Sequence, residues 1–159
     1  MSTPQTNHAD QIKKSSKAWH RTLFGLCVFV AVGALFGGGM GVLDPHSTLM
    51  GAELIVPELQ KAPLVGQHID SLLIPASTLL LFVFIPQTVA SLLLFRKHPA
   101  QYYAAIICGV LLAVFTITEI ALIPNPLSVL YLCFALFEIA AAIICQRRAT
   151  HTVSGGRIA

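Results

Sequence analysis

Four uninterrupted apolar runs, residues 22–43, 71–95, 102–123 and 127–145, account for most of this chain. Each is close to the ~20 residues that an α-helix needs to cross about 30 Å of hydrocarbon. A segment in that layer has no water to bond, so it must satisfy its own backbone, and each run reads as a helix. Composition agrees: 55% of residues are hydrophobic and 11% are charged, where soluble domains carry roughly a quarter charged. The expected fold is all-α, an integral membrane four-helix bundle formed by residues 21–146. Residues 44–69 form its long outer loop between helices one and two. Ser, Thr, Gln and Asn in the basic stretch 1–20, and the polar stretch 147–159, predict irregular solvated tails. The four runs differ in length, proline content and polar residues, so an inverted-repeat transporter within one chain is not expected.

Positive residues in short loops stay on the cytoplasmic side, and nine of the ten Lys and Arg fall on one side of these runs. Lys13, Lys14, Lys17 and Arg21 precede run one, Arg96 and Lys97 separate runs two and three, and Arg147, Arg148 and Arg157 follow run four. Lys61 alone lies on the other side. Both termini are therefore expected in the cytoplasm, with Trp19, Tyr102 and Tyr103 at the inner interface. A basic stretch before an apolar run with Ala31 and Gly33 also has the outline of a signal peptide. The run exceeds the ~7 to 15 residues of such a core, so an uncleaved span is expected.

Helices in lipid gain little from hydrophobicity and depend on close approach, which small residues permit. In run one, Gly33, Gly37 and Gly41 recur every fourth residue and predict a tight helix contact. Gly37, Gly38 and Gly39 together predict a kinked or unwound outer end, since each Gly costs about 1 kcal/mol relative to Ala. Run three places Ala105, Gly109, Ala113, Thr116 and Glu119 on one face, and run four does the same with Ser128, Tyr131, Ala135, Glu138, Ala142 and Cys145. Both glutamates thus belong to stripes expected to face protein.

Glu119 and Glu138 are the only formally charged residues within the runs, and an intramembrane carboxyl is costly enough to suggest a function. At 1.5 Å rise per residue, Glu119 lies roughly 6 Å and Glu138 roughly 16 Å inside the outer ends of their helices, too far apart in height for a shared-proton dyad. Pro86 predicts a break in the hydrogen-bond ladder of run two and a kink, followed by Gln87, Thr88 and Ser91. In depth Glu138 falls between Thr78 above and those three below, and helix tilt decides which of them it reaches. No Lys or Arg in any run neutralises Glu138. Two roles stay open for it: a proton- or cation-binding group, or a neutral hydrogen-bonding tie to run two.

His46 and His68, each two residues from Asp44 or Asp70, flank the outer loop. They are the one candidate metal set, set aside because Asp-x-His spacings are common by chance. No cofactor is expected. Cys27, Cys108, Cys133 and Cys145 are isolated and read as small packing residues; no Cys-x-x-Cys exists for disulfide exchange. No catalytic serine, zinc or phosphate-loop motif occurs, so an enzyme is not expected, and nothing points to nucleic acid.

Ile117 to Leu122 in run three, with Glu119 within it, and Tyr131 to Leu136 opening run four resemble a broad group of small four-span prokaryotic membrane proteins of unassigned activity. The likeness covers about half of the chain. It implies a bacterial inner membrane and no activity. The leading expectation is a structural or accessory membrane subunit, or a homo-oligomer, with the bilayer, itself or a larger complex as partners. The alternative is a small proton- or cation-linked carrier or channel using the carboxylates, and an intramembrane enzyme comes third.

Overall fold

The computed structural model describes residues 5–46, 57, 60, 61, 70–122 and 125–155. Its architecture is four long helices: α1 (Gln5–Leu43), α2 (Leu73–Phe95), α3 (Gln101–Leu122) and α4 (Pro126–Gly155). Within them Lys17–Leu43, Leu73–Phe95, Gln101–Leu122 and Pro126–Thr150 are each long and apolar enough to cross a membrane. Each helix packs on its neighbours in sequence, and α1 closes the ring against α4. That up-and-down order leaves α1 opposite α3, and α2 opposite α4, across the bundle diagonals.

The sorting of side chains is that of a protein in lipid. Buried positions are mostly small, among them Ala34, Ala76, Ala90, Ala105, Ala135 and Ala142, while Phe29, Phe36, Leu81, Ile107, Val114 and Leu136 point outward. Large apolar groups lose nothing in contact with acyl chains, and small ones inside bring the backbones together.

Both tails depart from the irregular structure expected of them, since α1 already begins at Gln5 and α4 continues to Gly155. Residues 5–20 and 146–154 contain no glycine or proline to interrupt a helix. The two extensions are joined, Arg148 Nη1 donating to Ser15 Oγ at 2.8 Å.

Gly37 to Gly39 do not unwind α1, which stays helical to Leu43. Packing against α2 holds this stretch. A Cβ on Gly41 would sit 2.6 Å from Ala76 Cβ, and one on Gly38 2.7 Å from Leu80 Cγ. On Gly37 it would make an ordinary 3.6 Å contact with Leu79, and on Gly33 it would meet the Tyr131 hydroxyl at 3.0 Å. Gly38 therefore takes the place expected of Gly37. The buried seam of α1 runs Leu23, Cys27, Val30, Ala34, Gly38, Gly41, mixing steps of four and three. A strict step of four drifts around the helix away from such a seam. Between α3 and α4 the approach is also close: a Cβ on Gly109 would lie 2.7 Å from Ile139 Cγ1 and 3.2 Å from the Ala135 carbonyl.

Pro86 does not break α2. The helix is α over Leu73–Leu79, widens into a π turn over Leu80–Phe84, and resumes as α over Ile85–Phe95. The Ile85 N–H reaches the Leu80 carbonyl, five residues back. Proline lacks an N–H and crowds the carbonyl four residues before it, and the wider turn makes that room. At its end α2 stops in a Schellman motif, with Lys97 at φ 52°, Lys97 N–H on Leu94 O and His98 N–H on Leu93 O. At the opposite end the Leu72 N–H bonds Pro45 O at 2.9 Å, bringing the ends of the 44–69 connection together.

Replacing Gly38 or Gly41 by Leu forces α1 off α2 and is expected to destabilise the bundle by about 1–3 kcal/mol. Gly37→Ala, with room for its methyl, is expected to be neutral or to stabilise by up to about 1 kcal/mol. Unfolding of the detergent-solubilised variants measures the order, and a Gly37→Ala loss as large as that of Gly41→Leu would contradict this packing.

Candidate functional site

Glu138 lies in the centre of the bundle and is fully buried. Its position on the small-residue stripe of α4, with Tyr131, Ala135 and Ala142, turns it away from lipid. Gln87 Nε2 donates to Glu138 Oε2 at 2.8 Å, and the Cys27 thiol donates to Glu138 Oε1 at 3.3 Å. The first bond joins α4 to α2 across the diagonal; the second joins it to its neighbour α1. Cys108 of α3 is also buried and lies near Glu138. Side chains of three helices thus meet directly in a polar layer, Cys27, Gln87 and Glu138, with Cys108 of the fourth beside them.

Gln87, the residue after Pro86, is fully buried as well. Its amide nitrogen is used by Glu138, but its Oε1 has no hydrogen-bond partner. A buried polar atom left without a partner is costly, and among the described side chains this oxygen shares that state with the Ser128 hydroxyl alone.

The remaining candidates divide. Ser91 is buried beneath Gln87, but its hydroxyl is spent on the Gln87 backbone carbonyl at 2.8 Å. Thr116 is buried and bonds Leu112 O and Ala113 O of its own helix. Thr88 is excluded, because it lies on the exposed side of α2 and its hydroxyl bonds Phe84 O at 2.8 Å. One residue beyond Gln87 is a rotation of about 100°, enough to move a side chain from core to lipid. Glu119 does not reach this layer. It is half-buried near the outer end of α3, beside the buried hydroxyl of Ser128, which lacks a partner in hydrogen-bonding geometry.

Of the flanking metal candidates, His46 and Asp70 are exposed and Asp44 is half-buried, while His68 lies outside the described residues. Among the described residues no group of three or more His, Cys, Asp and Glu side chains converges as a metal site. Cys27 and Cys108, taken in the sequence as packing residues, are the additions. Cys27 carries one signal, its place on the buried seam of α1.

No protein-family model, no curated protein and no solved structure matches this chain. What the layer does must be argued from its own atoms. A carboxyl receiving an amide N–H and a thiol S–H is a cross-bundle tie, and it is also a group able to hold a positive charge.

The tie is measurable. In a double-mutant cycle of Gln87→Leu and Glu138→Leu, the coupling is expected at about 1 kcal/mol, within the ~0.6 to 2 kcal/mol found for polar contacts between membrane helices. A coupling of zero would show that the contact adds nothing to stability.

Proposed function

We propose that this protein is a structural or accessory membrane subunit, a four-helix unit whose interior is devoted to its own assembly. The observation that carries the reading is the use of the polar layer: Glu138 engages two of the other three helices through Gln87 and Cys27. The tightest glycines, Gly38, Gly41 and Gly109, likewise spend their contacts within the chain. The perimeter left over is large and apolar, suited to lipid or to the flank of a larger membrane assembly. Native mass spectrometry after gentle extraction from its own membrane is expected to show a defined foreign subunit travelling with the chain. A bare monomer or homodimer would count against this reading.

The same proposal places the protein in a bacterial inner membrane with both termini in the cytoplasm. Nine of ten cations in the chain support the orientation. The contacts Ser15–Arg148 and His20–Gln101 gather α1, α3 and α4 at the end where those cations cluster. A carboxy-terminal green fluorescent protein fusion is expected to fluoresce and an alkaline phosphatase fusion to be inactive, and the reverse pattern would invert the topology.

A second reading, a small carrier or channel for protons or cations, draws on one observation: the unpartnered Gln87 Oε1 beside a buried carboxyl. It requires ion flux that Glu138→Gln abolishes while the fold survives.

A further inference from the structure

We propose that Glu138 and Gln87 together bind one monovalent cation at the centre of the bundle, with the Glu138 carboxylate and Gln87 Oε1 as its ligands. The inference goes beyond an accessory role and holds whether or not the chain joins a larger complex.

Two independent features ask for the same ligand. The first is charge. Glu138 is fully buried, and no Lys or Arg occurs within residues 22–43, 71–95, 102–122 or 127–145 to balance a carboxylate there. The second is the Gln87 amide. Its nitrogen reaches Glu138 at 2.8 Å, yet its oxygen, equally buried, has no donor. One positive charge lodged against both groups neutralises the first and supplies the second.

The titratable groups around Glu138 set the charge of the ligand. From α1 it meets the Cys27 thiol, from α3 Cys108, and α2 offers only the neutral Gln87. With thiols neutral, a single carboxylate balances a single charge. Divalent ions fit poorly: beside one carboxylate they would leave an unbalanced positive charge buried among apolar helices. The remaining occupants are a hydron and a small alkali ion, and both are accepted by the same atoms. An amide's oxygen and nitrogen exchange places by a half-turn about its last torsion. Turned so, Gln87 Oε1 takes the position 2.8 Å from Glu138 Oε2, and a hydron lies between the two oxygens. Left as it stands, Oε1 completes the coordination of an alkali ion drawn to the carboxylate.

Infrared spectroscopy of Glu119→Gln protein in lipid vesicles tests this, because Glu138 is then the only carboxyl inside the spans. Spectra are compared in sodium, potassium and choline chloride across the pH range in which the protein stays folded. A carboxylic-acid carbonyl band that Gln87→Leu shifts identifies a hydron. A carboxylate band that sodium or potassium shifts, choline does not, and Gln87→Leu desensitises identifies an alkali ion. A carboxylate band indifferent to all three salts and to pH overturns the proposal, as does any band that Gln87→Leu leaves in place. Should Glu119→Gln not fold, subtraction of Glu138→Gln from wild type isolates the same band.

Discussion

A carboxyl in hydrocarbon must find its partners inside the protein, and the packing of this bundle follows from that need. Glu138 finds one of them on α2, across the diagonal rather than on an adjacent helix. Neighbouring helices stand about 8–10 Å apart, and those at opposite corners farther by about a factor of 1.4, a gap that only long side chains close. Glutamate and glutamine are long enough to meet there if the helices are drawn in tightly. The alanines, cysteines and glycines of the interior do this; Gly38, Gly41 and Gly109 leave no room for a Cβ. The small-residue seams and the polar layer are therefore one device. The seams set the diagonal, and the layer bridges it.

The second half of the bridge lies just beyond a helix defect. In α2 the π turn at Leu80–Phe84 contains the buried Val83, with buried Ala76 before it and buried Gln87, Ala90, Ser91 and Leu94 after it. Steps of seven, four, three and four join Ala76, Val83, Gln87, Ala90 and Leu94, the spacing of one helix face. Pro86 makes the wider turn favourable at this place by removing an N–H and crowding the preceding carbonyls.

Much of this was legible in the sequence because its signals are periodic. Four runs of spanning length give four helices, and the three- and four-residue steps through Ala135, Glu138 and Ala142 put the carboxyl inward. Depth put Glu138 between Thr78 and the group Gln87, Thr88 and Ser91, and the packing selects Gln87. What stayed hidden has no periodic signature. Gly37 and Gly38 differ by one residue, and only the seam of α1 separates contact from near-contact. Thr88 fell to the lipid side because it stands one residue, about 100°, beyond the buried Gln87. A cysteine in an apolar run looks the same whether it fills space or donates to a carboxyl, and Cys27 does the second. The helical extensions of α1 and α4 were masked by polar composition, which argues against burial but not against helix.

The identity of residue 138 carries the last step. If the layer served only to tie α4 to α2, glutamine would serve better than glutamate. Two facing amides exchange two neutral hydrogen bonds, the Gln87 oxygen would gain a donor, and no formal charge would enter hydrocarbon. Glutamate leaves that oxygen unpartnered and brings a charge with no lysine or arginine to meet it. An alkali ion at the layer meets both deficits, and a hydron shared with the turned amide removes the charge. A carboxyl at this position is thus a poor rivet and a good receptor for one cation. The tie across the diagonal is complete only with that third component in place.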